Sequence, residues 1–109
     1  MSTLRIALAQ INTCVGDIEG NTATILEWCE KAAGHGATLV AFTEMTVTGY
    51  PIEDLAFRAS FRRAAEHALD GLAAALVERG LGRLAVVVGT LGQSAGGRPT
   101  NEAAVLRDG

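Results

Sequence analysis

Two apolar runs flank one amphipathic segment in the first half of the chain, and that order leaves few folds open. The first run, Leu4 to Gln10, carries Leu4, Ile6 and Leu8 on one face and Ala7 and Ala9 on the other. The second is Thr38-Leu39-Val40-Ala41-Phe42-Thr43. Runs of this length, rich in β-preferring residues, read as strands. Apolar or small residues on both faces of the first predict a strand covered inside a sheet. Between them Ile25, Cys29 and Ala32, with Leu26 and Ala33, make one stripe of a helix from Thr22 to Ala33. Asn21 is placed as its N-cap, Glu27 and Lys31 pair on its wet side, and Gly34 and Gly36 stop it. Strand, helix, strand at this spacing is a βαβ unit with parallel strands and a right-handed crossover.

The second half extends the pattern. Phe61, Ala65, Ala68, Leu72 and Leu76, widened by Leu69 and Ala75, mark a helix from Ala59 to Arg79, ended by Gly80 and Gly82. Leu84 to Thr90 is an apolar third strand that calls for cover on both faces. Gln93 to Thr100 reads as a Gly/Ser loop, and Asn101 to Leu106 as a fourth strand. Asp108-Gly109 is a strong hairpin-turn signal. A chain ending on it is expected to be cut in mid-hairpin, so residues 1–109 read as one partial α/β domain.

Composition narrows the function classes. With 49% hydrophobic and 19% charged residues over 109 positions, the chain is globular and somewhat apolar. Its net charge is −3 and its nine basic residues are scattered, which argues against a nucleic-acid or anionic-membrane partner. No signal-peptide core or membrane-length run is present, and Cys14 and Cys29 are isolated, so a reducing cytoplasm with free thiols is expected. No G-x-G-x-x-G follows a strand and no P-loop motif occurs. His35 and His67 lack ligand spacing and read as surface or capping residues. Arg62, Arg63 and Glu66 read as a solvated helix face.

Glu44 is the residue that points to chemistry. It stands at the C-terminal tip of the second strand, where open α/β sheets place their ligands. Burial there would raise its pKa and suit it to proton transfer. The competing reading is a carboxylate that caps a helix or braces a loop. The loop that follows favours chemistry. Thr43-Glu44-Met45-Thr46-Val47-Thr48-Gly49-Tyr50-Pro51-Ile52-Glu53-Asp54-Leu55 resembles the loop of the nitrilase (carbon-nitrogen hydrolase) superfamily that carries its catalytic glutamate. Ala9-Gln10, Val15-Gly16-Asp17-Ile18-Glu19-Gly20-Asn21 and Asn101-Glu102-Ala103-Ala104-Val105 fit other stretches of that family, in order along the chain. Within the superfamily, Gly49-Tyr50-Pro51-Ile52-Glu53-Asp54-Leu55-Ala56-Phe57-Arg58 is most similar to the amidase domain of the glutamine-dependent NAD+ synthetase branch.

The resemblance implies the N-terminal portion of an α-β-β-α sandwich, with elements in the order β-α-β-α-β-β. It also implies a Glu-Lys-Cys triad in which Glu44 is the general base for a cysteine that attacks the amide of L-glutamine. The lysine and cysteine of that triad would lie beyond residue 109, so the segment alone is expected to be inactive. Tyr50 matches a residue lining the glutamine pocket, or else is an aromatic packed in the Gly-Tyr-Pro turn. Cys14, Cys29 and Lys31 do not match triad positions and read as structural. Glu53 and Asp54 read as residues opening the second helix region. Thr43 stands where the family usually has proline, and Asn12-Thr13-Cys14 where it usually has Asn-Pro-Thr.

The segment itself is expected to carry no cofactor. ATP and Mg2+ would belong to a synthetase domain elsewhere in a homo-oligomeric parent, and the rest of the amidase domain would be this segment's nearest partner. Two alternatives remain: another amidase or nitrilase of the superfamily, or a non-catalytic α/β fragment or interaction module.

Overall fold

The computed structural model describes residues 3–109. Four strands form one mixed sheet: β1 (Ile6–Leu8), β2 (Leu39–Ala41), β3 (Ala85–Gln93) and β4 (Pro99–Leu106), side by side in chain order. β1, β2 and β3 run parallel, and β4 returns antiparallel to β3. The helices α1 (Ile18–Gly34) and α2 (Ala59–Glu78) supply the parallel connections, as the βαβ spacing requires.

Both helices pack on one face of the sheet. Val40, Val86 and Val88 point into that layer and meet Ile25, Leu26 and Cys29 of α1 and Ala65, Leu72 and Leu76 of α2. The stripes read from helical spacing are therefore the buried ones. The opposite face is covered by the loop after β2 at Gly89 and is open at β1 and at Val105. Leu4, Ile6, Leu8 and Val105 are 65%, 48%, 76% and 67% exposed, although the first strand was expected to lie inside a sheet. In this chain β1 is an edge strand, and only Ala7 and Ala9 reach the core. The reason is the missing second layer: the apolar residues meant for it have nothing to pack on. One α-layer and one β-layer of the expected sandwich are present.

The strands β1 and β2 are shorter than the sequence reading and β3 and β4 reach further toward their turn, and two of the differences in element boundaries bear on the site. α1 starts at Ile18 rather than Thr22, because Asp17 is its N-cap: its carboxylate accepts the Gly20 amide at 3.0 Å. Asn21 therefore lies inside the helix, where it is buried. The second difference is the β3–β4 hairpin. The expected Gly/Ser loop, Gln93 to Thr100, is shorter than read: Gln93, Pro99 and Thr100 belong to the strands and residues 94–98 make the turn. The Ser94 amide donates to the Arg98 carbonyl at 2.8 Å and the Gly97 amide to the Ser94 carbonyl at 2.9 Å. A short 3-10 helix, Glu53–Phe57, also stands apart from α2, with Glu53 and Asp54 in its first turn. Met45, Ile52, Ala56 and Leu91, joined by Leu55 and Phe61, form a second small core beneath it.

At the chain's last residues Asp108 (φ 55°) and Gly109 (φ 77°) both adopt the left-handed backbone that a type I′ turn uses. No helix among the described residues is long and apolar enough to cross a membrane.

Candidate active site

The loop after β2 is fixed by backbone, and that decides where Glu44 points. Residues 45–49 are buried under the end of the sheet. The Val47 amide donates to the Gly89 carbonyl of β3 at 3.1 Å, and the Gly16 amide to the Thr48 carbonyl at 2.8 Å. Two close approaches depend on glycine. A Cβ at position 89 would stand 2.6 Å from the Thr43 carbonyl oxygen and 2.8 Å from the Glu44 carbonyl carbon. A Cβ at position 49, where φ is 82°, would stand 2.6 Å from Val15 Cα. The fully buried threonines Thr46 and Thr48 satisfy their hydroxyls within the loop: Thr46 donates to the Thr43 carbonyl and Thr48 to the Gly49 carbonyl at 3.1 Å.

Asn21 clamps the same loop from the other side. Its amide nitrogen donates to the Val47 carbonyl at 3.1 Å and to the Cys14 carbonyl at 2.8 Å, while its Oδ1 accepts the Cys14 amide at 2.9 Å. A helix-interior asparagine, 3% exposed, thus ties the loop after β1 to the loop after β2. The capping rules give no hint of this role, because the same residue type fits both positions.

Glu44 itself is exposed, not buried as its place on the strand suggested. Its loop turns it toward the open side of the sheet, where no second layer is present. It sits with Phe42, Thr43, Val87, Gly89, Asn101 and Ala103 around a shallow hollow of about 300 Å³. One partner is supplied from far along the chain: the Asn101 side-chain amide donates to Glu44 Oε1. The sequence reading quoted Asn101 as part of a motif and gave it no task. Its signal was a polar side chain alternating onto the apolar open face of β4.

The other candidates separate. The Tyr50 side chain is 65% exposed and does not line the hollow beside Glu44. Cys29 is fully buried in the main core, and that burial, with Glu30 beside it, pushes its thiol up to about 12. It is protonated at neutral pH and supplies no thiolate nucleophile. Cys14 is exposed, and its backbone serves the Asn21 clamp. Lys31 pairs with Glu27 at 3.5 Å and lies 4.3 Å over the Trp28 ring, on the outer side of α1. His35 caps α1 through its backbone, and His67 lines the groove between the two helices. Among the described residues no group of three or more His, Cys, Asp or Glu is disposed to hold a metal ion.

Comparison with known proteins agrees with this geometry. The family model of carbon-nitrogen hydrolase matches residues 5–109. A glutamine-dependent NAD(+) synthetase from Xanthomonas campestris pv. campestris is 44% identical over 108 residues, 98% of this chain and 18% of that protein. The solved glutamine-dependent NAD+ synthetase of Acinetobacter baumannii superposes with a TM-score of 0.81 at 32% identity, covering 99% of this chain and 19% of that one. That of Cytophaga hutchinsonii gives 0.86 at 26% identity, covering 98% and 17%. The chain spans less than a fifth of the length of these relatives. On the matched span and the shared fold, this chain belongs to the carbon-nitrogen hydrolase family.

Proposed function

We propose that this chain is part of an amidohydrolase domain that releases ammonia from L-glutamine. In the intact enzyme that ammonia would serve the ATP-dependent amidation of deamido-NAD+; the relatives that support this reading are glutamine-dependent NAD+ synthetases. The observation that carries the reading is Glu44: a carboxylate at the C-terminal tip of a parallel strand, on a loop held by Gly89, Gly49 and Asn21. A base so held can take a thiol proton without reorganising its backbone.

The partners of Glu44 in the reaction, a lysine and a nucleophilic cysteine, lie outside these residues. The cysteine would lose its proton to Glu44 and attack the amide carbon, and the lysine would stabilise the oxyanion. Tyr50, exposed beside the loop, is proposed to line the glutamine pocket. ATP and Mg2+ are proposed to belong to a synthetase domain elsewhere in the intact enzyme. The intact enzyme is proposed to be a homo-oligomer.

The test supplies the intact enzyme with deamido-NAD+, ATP and Mg2+ and compares glutamine with free ammonia as nitrogen donor. NAD+ is expected from both, and a glutamine analogue that alkylates thiols should block only the first. The 109 residues alone should release no ammonia from glutamine. Hydrolysis of other amides or nitriles without NAD+ formation would replace this reading with a different amidase of the superfamily.

A further inference from the structure

We propose that Asn101 is a positioning residue for Glu44, holding one carboxylate oxygen so that the other is left to accept the proton. The inference deepens the glutamine-hydrolysing reading and rests on it. Asn101 stands 57 positions from Glu44 in the sequence, yet its amide donates to Oε1. The sheet brings them together in a defined way. Asn101 is opposite Leu91 and Ala103 opposite Gly89 in the β3–β4 ladder. The absent side chain at Gly89 lets the backbone of residues 43–45 lie against β3, so the Glu44 side chain emerges beside β4.

Alternation along β4 sends Asn101 and Ala103 to the open face and Glu102 toward the helix face, where it lines a second hollow with Arg62 and Thr90 while also bordering the one around Glu44. Asn101 is therefore the β4 side chain on Glu44's side that can donate. Asparagine is disfavoured in strands, and this one is exposed, so neither strand preference nor core packing accounts for it. An amide beside a carboxylate must present its NH2, because the carbonyl oxygen would repel. The bond to an ionised acceptor is charge-assisted, which fixes a side chain that would otherwise sample several rotamers in the open hollow. Among the described residues Glu44 Oε2 accepts no hydrogen bond. That oxygen is the one assigned to the proton: the S–H bond breaks, an O–H bond forms at Oε2, and the thiolate remains.

The experiment uses the intact enzyme and the variants Asn101→Ala, Asn101→Asp, Glu44→Gln and the double variant Glu44→Gln/Asn101→Asp. Asn101→Ala should lower glutamine-dependent kcat about 10- to 100-fold with little change in KM, the effect of a misplaced reacting group. Asn101→Asp should be at least as severe although it keeps the shape, because it sets a carboxylate against a carboxylate. Synthesis from free ammonia should be unchanged, and the double variant should be no worse than Glu44→Gln. A wild-type kcat for Asn101→Asp, or a milder loss than for alanine, overturns the role. Should Asn101→Asp also lower the ammonia route, Asn101→Ala with Glu44→Gln forms the cycle that decides by the same criterion. If Glu44→Gln keeps glutamine turnover, the functional reading itself fails. If Glu44→Gln is inactive while Asn101→Asp is unimpaired, only the role of Asn101 fails.

Discussion

Glu44→Gln should reduce glutamine-dependent turnover of the intact enzyme by roughly 10²- to 10⁴-fold, the range spanned by general acid–base catalysis. Synthesis from free ammonia should continue at the wild-type rate. The amide has the size of the carboxylate and can still accept from Asn101, so the loop keeps its path. What disappears is the ability to hold a proton taken from a thiol. The paired assays make the result specific: a folding defect would lower both nitrogen sources, and the loss of a base lowers one. Steady-state rates with glutamine and with ammonium at matched concentrations are the measurement. Undiminished glutamine use would return Glu44 to the competing reading of a loop brace.

The second large effect is expected at a residue with no side chain. Gly89→Ala sets a methyl group 2.6 Å from the Thr43 carbonyl oxygen, and the obstructing atoms are backbone on both sides. Nothing there can rotate away. Either β3 or the Glu44 loop must move, and the Val47–Gly89 hydrogen bond lies at the point of strain. Overpacking of this kind costs about 1–3 kcal/mol. A shift of the loop by ~1 Å would cost on the order of 100-fold in glutamine turnover. Gly71, in the middle of α2, is the control. A Cβ there meets nothing within 4 Å, so Gly71→Ala should stabilise the protein by about 0.5–1 kcal/mol through helix preference alone. Denaturant midpoints and glutamine kinetics of the two variants should move in opposite directions. A Gly89→Ala protein of wild-type stability and turnover would show that the loop is not seated by this contact.

The parts of this fold that obey a period were legible in the sequence. The α2 stripe at Ala65, Leu72 and Leu76, the buried face of α1 and the three apolar strands follow from spacing, because burial selects those positions whatever surrounds them. The position of Glu44, after a strand and at the head of its loop, was legible too. The clamps were not. Asn21 was read as an N-cap because asparagine favours that site, but Asp17 competes four residues earlier and wins through its bond to Gly20. Freed from capping, Asn21 bonds across 26 positions to Val47. Asn101 meets Glu44 across 57 positions. Contacts of that range depend on sheet register, and no local pattern encodes it. The exposure of Glu44 and of the β1 face was missed for a related reason: an apolar strand face signals that cover is wanted, not which residues provide it.

The uncovered face of the sheet has a thermodynamic consequence. Leu4, Ile6, Leu8 and Val105 meet water already in the folded chain, so melting these 109 residues alone hydrates less new apolar surface than a chain of this length ordinarily would. The heat-capacity increment of unfolding scales with that surface, as does the sensitivity to denaturant. A calorimetric scan of the segment should show a low increment per residue and a flat stability curve. Whatever layer closes over the face should restore both toward ordinary values, because it puts into the folded state the dry contact that this half of the sheet is shaped to make.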